Sequence, residues 1–223
     1  MSAWPGFFIS LEGIDGAGKS TQAAALAGEL SRDGFDVVAV RPSDTQLGDL
    51  VRGYLLQHHQ VPVDPWTEAL LFNAGRVQLL RERILPALAA GAVVIADRYA
   101  DSTLAYQGAG RGLPLPTLQW LHREACGGVW PDLTLLLELP RQAAEDRQRS
   151  QQLPLDRFET AADNFHLAVQ SGFTDLAAAH PERIVRIDAG RSPAAVSAEV
   201  REVVARRLAG HRAGGPATRG PHR

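Results

Sequence analysis

The residues of this chain whose types and spacing could perform chemistry begin at Gly13. The segment Gly13-Ile-Asp-Gly-Ala-Gly-Lys-Ser20 matches the pattern GxxxxGK[ST] and lies between an apolar run and a helix-forming stretch. Such glycines let backbone N–H groups point into one concavity, and the following helix adds the positive end of its dipole. Lys19 would reach nucleotide phosphates, and Ser20 would bind Mg²⁺. The alternative is a glycine turn that merely joins a strand to a helix.

We therefore expect a nucleotide to bind the whole segment, with Mg²⁺ as the metal cofactor and ATP as the phosphoryl donor. The predicted nucleotide-binding residues are Gly13, Ile14, Asp15, Gly16, Ala17, Gly18, Lys19, Ser20 and Thr21.

Carboxylates lie beside this segment and at the end of a later apolar run. Glu12 and Asp15 would repel a nucleotide unless a metal ion or a sugar hydroxyl group takes them up, so Asp15 is a candidate for either role. Asp97 ends the run Ala92-Val-Val-Ile-Ala-Asp97. Proteins with a phosphate-binding loop of the GxxxxGK[ST] pattern place a second carboxylate near Mg²⁺ at the end of such a strand. Arg98 follows and could bind phosphate with two hydrogen bonds, although a salt bridge that closes the sheet end is the alternative. The predicted metal ligands are Ser20, Asp97 and Asp15.

Short apolar, β-branched runs alternate with helix-forming stretches and must position these residues. The predicted strands are Phe7 to Leu11, Val37 to Val40, Val93 to Ala96, Leu133 to Leu139 and Ile184 to Ile187. The predicted helices are Ser20 to Leu30, Leu47 to His58, Trp66 to Ala90, Pro116 to Ala125, Arg141 to Gln151 and Arg157 to Ala179. Because the strands are continuously apolar, helices should cover both faces. The pattern predicts a doubly wound α/β fold with a five-stranded parallel sheet and ligands at the carboxyl ends of the strands.

Length and composition favour one intracellular domain. The 223 residues suffice for a single domain at 1–208, followed by a disordered basic tail at 209–223. The net charge of -2 gives no reason to expect a nucleic-acid partner, and no apolar run is long enough for a membrane span. Cys126 is the one cysteine, which fits a reducing compartment. We expect a cytoplasmic protein.

Four segments, taken together, carry a family resemblance that covers about residues 6 to 208. They are Leu11 to Thr21, Asp97 to Ser102 with Ala105 to Gly108, Leu155 to Glu159 and Pro181 to Asp188. The chain resembles bacterial thymidylate kinases, which are P-loop nucleoside monophosphate kinases. The resemblance implies the P-loop kinase fold with a helical lid at about 141–157, a homodimer, and transfer of the γ-phosphoryl group of ATP to dTMP. The products would be dTDP and ADP, for dTTP synthesis.

The resemblance also implies an acceptor pocket. Phe72 and Arg76 are four residues apart and so share one helix face. They resemble the pair whose aromatic ring stacks on thymine and whose guanidinium reaches an exocyclic oxygen. Without the family, Phe72 would be read as a core residue. Arg98 looks like the residue that holds the dTMP phosphate.

Further positions match the family motif less completely. Ser102 and Thr103 correspond to positions near the polar edge of the base, and Tyr106 to the aromatic residue that crowds the 2′ position of the sugar. Gln107 completes the motif, and Arg52 is a candidate for the acceptor phosphate. A tyrosine beside the 2′ position would favour deoxyribose.

Phosphoryl transfer needs positive charge aimed at the migrating group, and the glycine-rich segment offers only Lys19. Gly16 and Ala17 stand where one branch of the resembling family has an arginine. The polar stretch 141–157 therefore looks like a lid, and Arg147 and Arg149 are predicted to act with Lys19, Asp15 and Arg98 in catalysis. The alternative for the stretch is a solvated helix with i,i+4 charge pairs.

One segment departs from the family pattern. Val40-Arg-Pro-Ser-Asp-Thr45 stands where many bacterial relatives have Arg-Glu-Pro-Gly-Gly-Thr, which could alter acceptor preference. Three alternatives stay open: a kinase for another nucleotide or deoxynucleoside, a nucleotide-hydrolysing switch without an acceptor, and a nucleotide-binding protein without activity.

Overall fold

A computed structural model describes residues 4–57, 61–151, 157–158 and 160–213 of the chain. Its centre is a parallel sheet of five strands in the order β2-β3-β1-β4-β5. The strands are β1 (Phe7–Glu12), β2 (Val37–Val40), β3 (Val93–Asp97), β4 (Leu133–Glu138) and β5 (Ile184–Asp188). The predicted fold class, a doubly wound α/β sheet, is confirmed.

Helices connect the strands and cover both faces of the sheet. In chain order they are α1 (Lys19–Arg32), α2 (Gln46–Leu56), α3 (Pro65–Leu79), α4 (Leu85–Ala89), α5 (Ala100–Thr103), α6 (Leu115–Cys126), α7 (Arg141–Gln151), α8 (Asp163–Ala179) and α9 (Pro193–Ala213). Two π-helical segments, Leu80–Ile84 and Leu104–Gly110, continue α3 into α4 and extend α5. None of the described helices is long and apolar enough to cross a membrane.

Strand β1 shows why the apolar runs are continuous. Phe7, Ile9 and Leu11 belong to the core shared with α1 and α9, whereas Phe8 belongs to the core on the opposite face. Each of these side chains is buried, and each contributes roughly 1.5–3 kcal/mol by leaving water. Because both faces of this strand are buried, its polar and apolar residues do not alternate, as they would in a strand with one face exposed to solvent.

The helix predicted at Trp66 to Ala90 is present, with a local change of geometry in its second half. The π-helical segment Leu80–Ile84 lies just before Pro86, which has no N–H group to donate to the preceding turn. The widened turn accommodates this missing hydrogen bond without ending the helix, and Leu80, Ile84 and Leu88 stay buried.

Three helical regions differ from the sequence-based expectation, and one of them, the region from Ala100 to Gly110, was not predicted as a helix. Helix α8 begins at Asp163 and not at Arg157, and residues 157 and 158 form a turn. Helix α9, which we did not predict, reaches Ala213 and so includes residues 209–213 of the expected tail. Residues 214–223 of that tail lie outside the described residues, as do residues 152–156 of the expected lid.

The chain order places the site. From β1 the chain passes to β2 at the edge, returns to β3 beside β1, and then crosses to β4 on the other side of β1. Connections therefore leave the carboxyl end of β1 and its neighbours in opposite directions, which opens a crevice there. The segment after β1 and the end of β3 both lie at this crevice.

Candidate active site

The glycine-rich segment curls between the end of β1 and the start of α1. Gly13, Gly16 and Gly18 have positive φ angles of 134°, 81° and 91°, which residues with a Cβ atom rarely adopt. A Cβ atom on Gly13 would lie 2.4 Å from the carbonyl oxygen of Leu137, and one on Gly16 would lie 2.6 Å from that of Ala144. The backbone path thus depends on glycine for conformation and for close packing. It leads into the N-terminus of α1, which favours anions.

Lys19 is folded back into this segment. Its side chain is only 6 % exposed, and its Nζ donates to the carbonyl oxygen of Ile14 at 2.7 Å. Nζ also lies 4.0 Å from Oδ1 of Asp15. Burial, together with the positive charge of Arg98, lowers the pKa of Lys19 to about 8. The ammonium group is therefore held at the segment and is still charged at neutral pH.

Ser20 and Asp97 meet at the exposed edge of the same segment. The Oγ of Ser20 donates to Oδ2 of Asp97 at 2.5 Å, so the start of α1 and the end of β3 bring two oxygen ligands together. Serine hydroxyl and carboxylate oxygens are hard donors of the kind that Mg²⁺ prefers. Thr21 is exposed on the next position of α1, and the N-cap residue of this helix is Gly18.

Arg98 occupies the corner between the glycine-rich segment and a second pocket. Its φ angle is +75°, a left-handed conformation that costs about 1–2 kcal/mol for a residue with a side chain. The strain is held by two hydrogen bonds, from the Arg98 N–H to the carbonyl oxygen of Leu11 at 3.0 Å and from the Tyr99 N–H to Oε1 of Glu12 at 2.7 Å. Strained backbone of this kind clusters at functional sites.

The Arg98 guanidinium contacts both sides of that corner. It donates to the carbonyl oxygen of Gly13 at 2.9 Å, to Oγ of Ser102 at 3.1 Å and to the Tyr106 hydroxyl at 3.2 Å, and it forms an ion pair with Asp15. The Tyr106 hydroxyl in turn donates to Oδ2 of Asp15 at 2.8 Å. One cation thus joins the glycine-rich segment to the helix after β3.

These contacts set the protonation of the group. Burial opposes the ionisation of Asp15, but Arg98 and Lys19 outweigh it and hold the pKa of Asp15 well below its usual range. Burial likewise opposes the charge of Arg98, and Asp15 raises the pKa of Arg98 above its usual value. Burial raises the pKa of Tyr106, so its hydroxyl stays protonated and can donate.

Glu12 is a buried member of the site that the sequence left without a definite role. Its side chain is fully buried and accepts from the Tyr99 N–H and from the Ser102 hydroxyl at 2.5 Å. Burial, and then the charge of Asp101, raises the pKa of Glu12 to about 7. Through these two hydrogen bonds Glu12 supports the turn that carries Arg98.

A second pocket opens beside Arg98, with an empty volume of about 820 Å³ that includes space open to solvent. All eight acceptor residues predicted from the resemblance line it: Phe72, Arg76, Arg98, Ser102, Thr103, Tyr106, Gln107 and Arg52. Asp15 lines it as well, so the carboxylate of Asp15 and the guanidinium of Arg98 belong both to this pocket and to the surroundings of the glycine-rich segment. Pro42 also lines it, which places the segment that departs from the family pattern at the pocket.

Arg76 is fixed before any ligand arrives. Its guanidinium donates to Oδ1 of Asn73 at 2.8 Å and to the hydroxyl of Thr103, and it lies 5.6 Å from the ring centroid of Tyr99. Phe72 lies on the same helix, α3, and its ring is directed toward Phe158 with centroids 6.0 Å apart. The pair is thus placed on one wall of the pocket, as the i,i+4 spacing predicts.

The sequence did not identify Phe158 as a pocket residue, although it lies in the segment Leu155 to Glu159 that carries part of the resemblance. Its ring lines the pocket and is only 5 % exposed. Residues 155, 156 and 159 of that segment lie outside the described residues. The family resemblance included Phe158, but Phe72 and Phe158 are far apart in the chain, so the sequence does not indicate that their rings are in contact.

The two arginines predicted to act from the lid lie on α7. Arg147 donates to the carbonyl oxygen of Ala189 at 2.8 Å, and Arg149 pairs with Glu145 and Asp146 on its own helix. Arg141 also pairs with Glu145, as the alternative of a solvated helix requires. Helix α7 packs on the glycine-rich segment through Ala144 above Gly16. Helix α7 therefore lies against the glycine-rich segment, and both guanidinium groups contact residues outside that segment.

Comparisons with known proteins agree with this geometry. The family model for thymidylate kinase matches residues 11–200. A thymidylate kinase of Synechococcus sp. (strain JA-3-3Ab) is 48 % identical over 202 residues, which are 90 % of this chain and 96 % of that protein.

Two further relatives named thymidylate kinase have similar coverage. The protein of Deinococcus radiodurans is 46 % identical over 203 residues, or 91 % of this chain and 98 % of the relative. That of Thermomicrobium roseum is 42 % identical over 205 residues, or 90 % and 97 %. On these matches over nearly its whole length, the chain belongs to the thymidylate kinase family.

Proposed function

We propose that this chain transfers the γ-phosphoryl group of ATP to dTMP, giving dTDP and ADP. The observation that carries the proposal is Arg98, which touches the glycine-rich segment through Gly13 and the second pocket through Ser102 and Tyr106. A kinase needs a donor site and an acceptor site that meet where the phosphoryl group moves. The family match supplies the identity of both substrates.

On the donor side, we assign the phosphates of ATP to the N–H groups of residues 13–21 and to Lys19. The positive φ angles of Gly13, Gly16 and Gly18 support this assignment, because they give the backbone the curl that a phosphate cradle needs. Lys19 would exchange its hydrogen bond with the Ile14 carbonyl oxygen for phosphate oxygens. A charge-assisted bond to phosphate is stronger than the neutral acceptor that it replaces.

Ser20 and Asp97 are the residues that we assign to Mg²⁺. Their oxygens already meet at the exposed end of β3, and Mg²⁺ is usually held by one or two carboxylates together with substrate phosphates. When bound, the ion would neutralise charge on the β- and γ-phosphates. Both oxygens of Asp15 are engaged by Arg98 and Tyr106, which favours its alternative role beside the acceptor's sugar hydroxyl.

On the acceptor side, Phe72 would stack on the base and Arg76 would reach an exocyclic oxygen of the base. The Thr103 hydroxyl would lie at the polar edge of the base, which its hydrogen bond with Arg76 supports. Arg98 would hold the phosphate of dTMP, and Tyr106 would exclude a 2′-hydroxyl group. Arg52 lines the same pocket and is assigned to the acceptor phosphate.

Transfer then needs further positive charge at the migrating group, which we assign to Arg147 and Arg149. Arg149 is 68 % exposed, and its pairs with Glu145 and Asp146 are i,i+4 and i,i+3 contacts worth a few tenths of a kcal/mol. Such contacts are readily exchanged for phosphate. Direct in-line transfer requires no covalent enzyme intermediate, so the chain's own residues bind, orient and exclude water.

We also propose a homodimer in the cytoplasm, where both substrates occur. Large apolar side chains are exposed on the neighbouring helices α2, α3 and α6: Leu50, Tyr54, Trp66, Leu70 and Trp120. An exposed apolar surface of this kind is typical of an interface. Light scattering of the wild type and of Leu70→Glu would test the assembly, since a buried glutamate should give monomers.

The test of the reaction is ADP release with Mg²⁺ and ATP, measured with dTMP, dUMP, CMP, AMP and thymidine in turn, with Lys19→Ala as the blank. Fast turnover with dTMP alone is the expected result. Fast turnover with another monophosphate instead would keep the kinase and discard dTMP, and it would implicate the altered segment at Pro42. ATP turnover that needs no acceptor would contradict the proposal altogether.

A further inference from the structure

A carboxylate that has no place in the proposed reaction lies behind the acceptor pocket. Glu68 is in the first turn of α3 and is completely buried. It precedes Phe72 by four residues and Arg76 by eight, so all three lie along one face of the helix. A buried carboxylate is costly unless it is paired, and its partners therefore indicate what the group is for.

Three side chains from distant parts of the chain converge on Glu68. Gln107 donates to its Oε1 at 2.8 Å, and Arg111 approaches both oxygens at 3.2 and 3.3 Å. Arg157 donates to Oε2 at 2.6 Å. Gln107 belongs to the π-helical segment that lines the pocket, whereas Arg157 lies just ahead of α8. One carboxylate thus ties three elements together behind the acceptor site.

Arg157 carries this connection to the end of α2. Its Nε donates to the carbonyl oxygen of Leu55 at 3.0 Å, and its own N–H donates to that of Leu56 at 3.2 Å. With Glu68 as a third contact, residue 157 is fixed in position and direction. These contacts restrain the backbone position of the residue that follows Arg157.

That next residue is Phe158, which lines the acceptor pocket. Its ring lies 6.0 Å from that of Phe72 and 6.1 Å from that of Tyr106, measured between centroids. The two guanidinium groups on Glu68 hold the same ring, with Arg157 at 4.7 Å and Arg111 at 5.4 Å from its centroid. These are distances at which a cation and an aromatic face attract each other.

We infer that Glu68 is a positioning residue for acceptor recognition, which holds Arg111 and Arg157 so that Phe158 forms an aromatic wall facing Phe72, and holds Gln107 beside it. The inference rests on the proposed function, because it takes dTMP as the acceptor. The planar base would then meet an aromatic side chain from α3 and another from the turn before α8. Glu68 itself touches no substrate.

The test begins with Glu68→Gln, measured in the full chain with Mg²⁺, ATP and dTMP. The amide keeps the shape but offers one acceptor oxygen to three donors, and its NH₂ group would face a guanidinium. We expect the KM for dTMP to rise about tenfold, because a displaced wall misplaces the base, with the KM for ATP within about twofold of the wild type. Glu199 lies on α9 and does not line the pocket, so Glu199→Gln, which removes its ion pair with Arg191, should change neither KM.

Phe158→Leu makes the test specific. If Glu68 acts through the ring, Phe158→Leu alone should also raise the KM for dTMP, and the double variant should raise it by less than the product of the two single effects. Effects that multiply fully would overturn the inference. So would a lower unfolding temperature of Glu68→Gln with unchanged KM for dTMP, or an equal rise in both KM values.

Arg111→Gln provides a second variant if Glu68→Gln does not fold. Arg111 is 23 % exposed, and its loss leaves Glu68 paired with Arg157. The same selective rise in the KM for dTMP is expected, and an unchanged KM would count against the inference. Failure of the proposed function is distinguishable, since the wild type itself would then fail to phosphorylate dTMP.

Discussion

The proposed donor and acceptor sites share Asp15 and Arg98 but are built in different ways. The donor site consists of nine consecutive residues, 13–21, and its shape comes from backbone conformation at three glycines. The acceptor site draws on residues from Asp15 to Phe158, and its shape comes from hydrogen bonds and ion pairs between side chains. A contiguous site needs only the right local sequence, whereas a distributed site needs the whole fold.

This contrast explains where strain and charge are stored. The donor segment uses glycine, so its left-handed backbone costs little. Arg98 adopts a left-handed backbone with a full side chain, and Glu12 and the Leu11 carbonyl oxygen must hold it there. The acceptor side is therefore the part of the molecule in which a single side-chain change should alter recognition without removing ATP binding.

The largest expected effect belongs to the donor side. Lys19→Ala should lower kcat by roughly 10⁴-fold, because it removes the cation assigned to the migrating phosphoryl group. The affinity of the Lys19→Ala variant for dTMP, measured by calorimetry, should change by less than threefold. Lys19 is the one lysine of the chain, so Lys19→Arg is the informative control: charge is kept while the compact ammonium is lost. Equal losses of ATP and dTMP binding in Lys19→Ala would break the contrast between the two sites.

Arg98 should give the next largest effect. Arg98→Gly and Arg98→Ala should each lower kcat/KM for dTMP by roughly 10³-fold, since the guanidinium at the corner of the two sites is lost. The two variants should differ in stability. The free energy of unfolding of Arg98→Gly should be about 1 kcal/mol higher than that of Arg98→Ala, because glycine adopts a φ angle of +75° without strain. Equal stability of the two variants in chemical denaturation would show that the backbone strain is absent in solution.

Acid should test the support beneath the acceptor side. His122 is buried against Tyr99 and Trp130, and its Nε2 bonds to the carbonyl oxygen of Val129 at 3.1 Å. Burial, followed by the positive charges of Arg76 and Arg183, lowers the pKa of His122 from 6.5 to about 4, although the negative charge of Asp101 opposes this shift. The unfolded chain therefore binds the proton more readily between these values, and stability should fall by about 3 kcal/mol as the pH drops from 6.5 to 4.

Denaturant unfolding across this pH range measures the effect, and His122→Phe should reduce the slope. The control compares the wild type and His122→Phe at pH 7.5. At that pH the imidazole of the wild type is neutral in both the folded and the unfolded state, so it adds no pH-dependent difference. A slope that persists in His122→Phe would assign the acid sensitivity to other groups.

The smallest expected effect separates backbone conformation from packing in the donor segment. Gly16 and Gly18 have similar φ angles, but a Cβ atom on Gly16 would lie 2.6 Å from the Ala144 carbonyl oxygen, whereas one on Gly18 would meet no described atom within 4 Å. Gly16→Ala should therefore cost about 2 kcal/mol more in unfolding free energy than Gly18→Ala. Equal losses would mean that α7 does not pack on the segment in solution.

Much of the fold was predictable because local sequence and tertiary environment agree. The five strands were found within about one residue, since runs such as Val93 to Ala96 can only be satisfied inside a two-sided core. The region Ala100 to Gly110 was missed as a helix, because Gly108 and Gly110 disfavour one locally. Tertiary contact explains them: a Cβ atom on Gly110 would lie 2.6 Å from the ring of Phe165.

Part of the proposed site could also be identified from the sequence. The glycine-rich segment was identified from its residue pattern, and the family resemblance supplied Phe72 and Arg76. Sequence reasoning did not find Glu68 or Phe158, and it gave Glu12 no definite role, because buried carboxylates and aromatic residues look in a sequence like ordinary surface and core positions. Their partners are too far away in the chain for any local pattern to connect them.

The sequence by itself determined the parts that depend on short-range stereochemistry. These are the strands, most helices and the glycine-rich segment, in which glycine spacing dictates where N–H groups point. Only the tertiary structure decided the parts that depend on long-range contact: the strained Arg98 corner, the Glu68 cluster and the meeting of Phe72 with Phe158. The physical reason is that a backbone conformation is a property of adjacent residues, whereas a pocket exists only where distant side chains pack together.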